Sequence, residues 1–220
     1  MKTTLKLLSI LLVFTALSSC KKDKKETAEA KFTVKEKNTA AKSLKKLPST
    51  VSFDFTRAVV GVKKVKFERE VNGDDQDYKY KGNYSFDILT GTSTPPLPTV
   101  EIEPGVYHKL KVKFDNVLPT GNTLEIDGTA TVGGVNFKFE FTSKDDTEYE
   151  VENPSGLPVN PGDAVTFVLQ IDLESLFTGV DFATATVDAD GVIRINENSN
   201  SNLQDLIEEN FDDVMDFDED

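Results

Sequence analysis

The chain of 220 residues contains one cysteine, one histidine and no tryptophan. A single cysteine, Cys20, excludes an internal disulfide framework and a Cys/His zinc site. A single histidine, His108, excludes a multi-histidine metal centre. Positive charge is also scarce: 25 Lys plus Arg stand against 38 Asp plus Glu, a net charge of −13. A chain this acidic has no basic footprint for nucleic acid, so no nucleic-acid partner is expected. No Gly-x-Ser-x-Gly elbow and no phosphate-binding loop is present, which leaves no nucleophile–base signature for an enzyme. What is abundant is phenylalanine, fifteen residues in a chain that is 38% hydrophobic. That is enough to bury the core of one domain.

The N-terminus reads as an address. Lys2 and Lys6 precede an apolar run from Leu7 to Leu17, broken only by Ser9 and Thr15. Eleven residues are too few for a membrane-spanning helix, which needs about 20, and suit the core of a signal peptide over residues 1–19. The run ends in Leu17-Ser18-Ser19-Cys20, which resembles the bacterial lipobox. That resemblance implies a diacylglyceryl group on the Cys20 thiol, further acylation with palmitate-type chains, and a membrane partner reached through the N-terminal lipid. Residue 21 is Lys rather than Asp. In the sorting logic of enteric lipoproteins this implies the outer membrane, with the domain facing the periplasm or displayed on the cell surface.

Charge is segregated along the chain. Residues 21–50 hold ten Lys and four acids, whereas residues 51–220 hold 13 Lys plus Arg and 34 acids. Residues 20–49 therefore read as the lipidated cysteine followed by a basic linker. Its 27 residues from 21 to 47 would span roughly 30 Å as a random coil. Residues 50–211 read as the folded domain, and the acid-rich segment 212–220 as a disordered tail.

Within the domain the dominant period is two. Val51, Phe53 and Phe55 alternate with polar residues, as do Leu110, Val112 and Phe114. The set Val135, Phe137, Phe139 and Phe141 behaves likewise, and Val165 to Leu173 forms another one-sided set. Strands of this kind bury one face and wet the other. Asn72-Gly73, Gly133-Gly134 and Asp190-Gly191 are hairpin-type pairs, and Asp127-Gly128 marks a turn or a bulge. Eight to ten strands without a βαβ rhythm predict an all-β fold, an antiparallel β-sandwich of immunoglobulin or transthyretin type. A short helix is predicted near Leu173 to Phe177. A C-terminal helix is predicted over Leu203 to Phe211, capped by Ser201 or Asn202.

Several motifs carry a family resemblance. They are Val51-Ser-Phe-Asp-Phe-Thr followed by Val59-Val-Gly-Val-Lys-Lys-Val-Lys-Phe, then Tyr84-Ser-Phe-Asp-Ile-Leu, then Ile102-Glu-Pro-Gly-Val-Tyr-His-Lys-Leu-Lys-Val, then Thr166-Phe-Val-Leu-Gln-Ile-Asp-Leu. In this order, behind a lipobox, they resemble Bacteroidetes lipoproteins that carry a β-sandwich domain of unknown function. The likeness covers residues 50–177 and implies fold and location, with no activity to carry over.

Three chemical readings remain. His108 follows a Pro-Gly turn, and alternation puts it on the face of Leu110; a strand histidine with no catalytic duty is the favoured reading. Tyr78, Tyr80 and Tyr84 offer rings for stacking on sugars, and a carboxylate pair for glycan hydrolysis is easily found among 34 acids, which makes it uninformative. The segment from Thr186 to Glu197 follows part of a calcium-loop spacing, with Asp188, Asp190 and Glu197 at the third, fifth and twelfth positions. Thr186 stands where the first ligand should be, and the flanks, Ala183–Val187 and Val192–Ile195, read as strands rather than helices, so a plain turn competes with a Ca²⁺ site. The acids Asp74, Asp75 and Asp77 form a second, weaker cluster. The expectation is a non-catalytic envelope module with a glycan or envelope-protein partner; a carboxylate-based glycan enzyme and a calcium-dependent adhesion module are the alternatives.

Overall fold

The computed structural model describes residues 26–37, 51–71 and 74–219. The signal peptide, Cys20 and the Asn72-Gly73 pair lie outside the described residues. The fold is a β-sandwich of two sheets. One contains, in order, β12 (Met215–Glu219), β10 (Ala164–Ile171), β1 (Ala28–Glu36) and β5 (Val100–Ile102). The other is built on β2 (Val51–Val71), a strand of 21 residues.

The first half of β2 pairs with β7 (Leu124–Val132), which leads to β8 (Val135–Ser143) and β11 (Val192–Ile195). Its second half pairs with β6 (Gly105–Phe114), which leads to β9 (Thr147–Val159). Along its other edge runs β3 (Asp74–Asp87), followed by β4 (Thr92–Thr94). A strand that serves two sets of partners must bend, and the register of β2 shifts at Phe55/Arg57, Val62/Lys64 and Glu68/Arg69. Two glycines permit the close approaches involved. A Cβ on Gly61 would lie 2.5 Å from the carbonyl oxygen of Asp115, and one on Gly128 would lie 2.6 Å from that of Asp54. The Asp127-Gly128 pair is thus an in-strand position opposite a bulge, not a turn.

The antiparallel pairing read from the alternation prevails, with one parallel pair in each sheet, β1 with β10 and β11 with β8. Between the sheets Phe67 packs on Phe167 with ring centroids 4.4 Å apart, and Phe32 meets Phe67 and Phe86 edge-on. Under the β7–β8 half, Phe53, Phe139, Phe177 and Phe182 form a second aromatic cluster. It is covered by α1 (Leu173–Leu176) and the turns after it. Asp172 caps α1 by accepting from the backbone N–H of Ser175. The helix α2 (Ser201–Phe211) buries Leu203, Ile207 and Phe211, as its spacing predicts. Its N-cap is Asn200, in the left-handed region, whose side chain bridges Thr186 and Arg194 instead of capping the helix.

Three predicted segments are corrected. Part of the basic linker over 20–49 is the strand β1: Ala28, Ala30, Phe32 and Val34 are buried and alternate with outward residues. Lys and Glu on the outward positions gave the segment its linker-like composition. Part of the disordered tail over 212–220 is also ordered, as a 3-10 turn (Asp212–Val214) and β12. Val214 and Met215 are buried, and Phe217 packs on Phe167 at 5.8 Å. Residues 183–187, predicted as a strand, are turns and irregular chain. The Asp190-Gly191 turn leads into β11 parallel to β8, so it closes no hairpin.

Candidate functional site

Alternation in β8 places Phe139, Phe141 and Ser143 on one inward face, so the strand ends with a buried hydroxyl. The buried Thr123, just before β7, donates its backbone N–H to the Ser143 carbonyl at 2.8 Å. Across from them α2 carries Gln204 and Glu208 beside its apolar stripe. Ser143 Oγ donates to Glu208 Oε1 at 2.5 Å, and Gln204 Nε2 donates to the same oxygen at 2.7 Å. Ser143 Oγ also accepts from the backbone N–H of Asp145 at 3.1 Å.

These groups border a cavity of about 240 Å³ between the end of β8 and α2. Its apolar wall includes Leu124, Phe141, Ile207 and Phe211; Asp145, Asp146 and Asp212 lie at its acidic side. Burial pushes the Glu208 carboxyl above the usual carboxylate range. Hydrogen bonds from Ser143 and Gln204 oppose the rise, and the Asp145 charge adds to it. Asp146 is paired with Lys113 at 3.3 Å. Among the described residues no Lys or Arg pairs with Asp145, Glu208 or Asp212. Neither Ser143 nor Glu208 was singled out in the sequence. The available signals were a serine at an inward position of a Phe-rich strand and a glutamate flanking an apolar helical stripe.

A second groove, of about 430 Å³, lies beside Val51, with Phe53, Phe177 and Phe182 in its wall and Glu174 and Asp181 among its polar residues. The two lie at opposite ends of the β7–β8 ladder, the cavity beside Leu124 and Ser143 and the groove beside Val51 and Val132. The first residues of β1 pair with β5 and with Ala164. Its last residue, Glu36, lies opposite Ile171, which also pairs with Met215, just beyond Phe211 and Asp212. A strand of nine residues separates the two ends by roughly 26 Å.

The sequence candidates fall elsewhere. Asp188 and Asp190 both bind Arg194, at 2.6 and 2.8 Å, and Arg194 also reaches Glu140 at 3.1 Å. Glu197 pairs with Lys144 at 2.5 Å. The Arg194 guanidinium holds the Asp190 carboxyl below its ordinary value, and Lys144 does the same for Glu197. The three predicted calcium ligands are therefore engaged by cationic side chains. No group of three or more His, Cys, Asp or Glu suited to a metal occurs among the described residues. The structure shows this segment as a turn held by Arg194.

His108 sits at a β-bulge where the pairing of β6 shifts between Tyr107 and Lys109. The bulge puts both Tyr107 and Leu110 inward, so His108 does not share the Leu110 face; it lies against Gly156 and is half-buried. Tyr80 is buried and donates to the Ala30 carbonyl, and Tyr78 accepts from the Glu103 N–H. Burial raises the pKa of the Tyr80 phenol far above its usual value. These two rings belong to the core and its margin rather than to a sugar platform. Asp77 lies between Lys66 and Lys79. The outer face of β6 and β9 is a ladder of ion pairs, with Lys109 and Lys111 both on Glu150 at 2.7 and 2.6 Å. No helix among the described residues is long and apolar enough to cross a membrane.

Residues 48–208 match the family model described as "Domain of unknown function (DUF4382)". No curated protein matches, and no solved structure matches.

Proposed function

The chain belongs to the DUF4382 family, and on that premise we propose that it is a lipid-anchored, non-catalytic binding module of a Bacteroidetes-type cell envelope, held at the outer membrane through Cys20. The observation that carries this reading is polarity. Ala28, the first residue of β1, is only eight positions after Cys20, so a fully extended tether reaches at most about 28 Å. The sandwich is therefore held close to the bilayer by its β5–β1 end, not on a long stalk. The cavity between β8 and α2 lies toward the other end of β1, where Ile171 pairs with Glu36 and Met215, and a partner in the envelope meets it there.

The size of the cavity between β8 and α2 favours binding over catalysis. About 240 Å³ is below the roughly 300–1,000 Å³ of typical small-molecule sites and suits one side chain better than a pair of sugar rings. The Glu208 carboxyl, raised by burial and near Asp145, is the observation that favours the alternative, a carboxylate-based glycan enzyme. Growth with a clickable palmitate analogue tests the anchor. The parent chain takes up label and fractionates with outer membranes, and Cys20→Ser abolishes both. Labelling of Cys20→Ser at the parent level would refute the anchor. Reducing-sugar release from envelope glycans, abolished by Glu208→Gln, would replace the binding reading with the enzymatic one.

A further inference from the structure

Thr123 is 3% exposed, and its Oγ1 is buried without a hydrogen-bond partner. Its backbone N–H and C=O are both engaged, by Ser143 and Gly61, which fixes where the side chain sits. It lines the cavity between β8 and α2, where the carboxylates of Glu208, Asp145 and Asp212, none paired with a Lys or Arg among the described residues, also lie. A buried hydroxyl left unpaired is unfavourable, and adjacent carboxylates without a cation repel one another. One group resolves both: a donor-only cation with several N–H bonds. The opposite wall is aliphatic and aromatic, so the cation must arrive on an apolar stem. A metal ion is disfavoured by the donor set. A guanidinium is planar and forked, whereas a primary ammonium spreads three donors from one atom and matches separated acceptors.

We infer that this cavity is a binding site for a primary alkylammonium group, with Thr123 Oγ1, Glu208 and Asp145 accepting its three N–H bonds and Leu124, Phe141 and Ile207 packing on its methylene stem. The inference rests on reading this end of the sandwich as a binding face. Two sources present the chemistry: a lysine side chain of an envelope protein, and a free diamine. Ser143 is the positioning residue, since its carbonyl, hydroxyl and following loop hold Thr123, Glu208 and Asp145 respectively.

The test titrates the full-length chain in detergent with acetyl-Ala-Lys-Ala-amide and with cadaverine, followed by ligand-observed nuclear magnetic resonance. The norleucine analogue of the peptide is the uncharged control. Binding of the lysine peptide and not the norleucine one is expected. Response to the peptide alone identifies a partner's lysine as the source, and response to cadaverine alone identifies a free amine. Thr123→Val keeps the side-chain shape and removes no intramolecular hydrogen bond. It leaves the urea midpoint unchanged or higher and weakens binding about tenfold. Glu208→Gln weakens it tenfold or more. Equal response to lysine and norleucine, no response to either probe, or unchanged affinity in Thr123→Val overturns the site. Palmitate labelling at Cys20 is a separate readout, so loss of the ammonium site with labelling intact overturns this inference alone.

Discussion

Substituting Phe32 by alanine tests whether the segment before the family-matched region is structural. Phe32 is 4% exposed at the centre of β1. Its ring meets Phe86 edge-on at 5.6 Å and Phe67 at 6.3 Å, and it sits where β1 pairs with Phe167 of β10. Truncation removes a ring from a packed layer whose other rings are fixed by three strands, so the void cannot collapse. The cost expected for a buried Phe→Ala change is about 3–5 kcal/mol. With a urea slope of about 2 kcal/mol per molar, the unfolding midpoint falls by about 1.5–2.5 M. Lys31→Ala, one position away and exposed, changes stability by no more than about 0.5 kcal/mol. The assay is urea unfolding of the full-length chain in detergent, followed by tyrosine fluorescence and far-ultraviolet circular dichroism. A Phe32→Ala midpoint within about 0.3 M of the parent would refute the placement of β1 in the core and restore residues 26–37 to a linker.

Glu125 is 2% exposed and accepts from Arg57, Thr120 and Asn122; burial pushes its carboxyl up, but these hydrogen bonds outweigh burial and hold it below its ordinary value. Its contribution is present above the unfolded carboxylate pKa and is lost as pH falls through the folded value. Glu125→Gln should therefore lower stability by about 1–3 kcal/mol at neutral pH, with the gap closing below about pH 4 in paired urea titrations; a pH-independent gap would contradict this. Glu36 is the opposite case: burial, then the Glu174 and Asp172 charges, raise its carboxyl. The stability from its neutral form is present in acid and lost as pH rises through the raised value, so Glu36→Gln should gain about 0.5 kcal/mol at pH 7 and nothing near pH 3, read as melting temperature. Calcium at millimolar concentration should leave the parent's melting temperature unchanged, because Arg194 already occupies Asp188 and Asp190; a rise reversed by EDTA would reinstate the calcium site. Arg194→Gln should lower the melting temperature through its lost pairs to Glu140, Asp188 and Asp190, and an unchanged thermal transition would contradict the arginine-held turn.

What the sequence reveals and what it hides follow one physical rule. A strand is legible when its inward residues are large and its neighbours polar. Val135 to Phe141 and Leu110 to Phe114 meet that condition, and β8 and β6 fall where the alternation puts them. In β1 the inward set is Ala28, Ala30, Phe32 and Val34, half of it alanine, which suits a central strand packed closely against the facing sheet but scarcely registers in a hydrophobicity pattern. Charged residues at Glu29, Lys31 and Lys35 then dominate the composition and mimic a linker. The same masking hides β12, where Met215 and Phe217 alternate among acids. Local spacing also gives no hint of the partner that engages the calcium segment, since Arg194 lies inside it and folds back on Asp188 and Asp190. The ammonium cavity is the extreme case. Thr123, Ser143 and Glu208 come from the approach to β7, the end of β8 and the middle of α2. No spacing links them; only the pairing of β7 with β8 and the packing of α2 beside them bring a buried hydroxyl and carboxylates without a cationic partner together. A site assembled from three separated segments through one serine is invisible to a motif search, which is why the test at Thr123, whose side chain makes no other hydrogen bond, is the most discriminating.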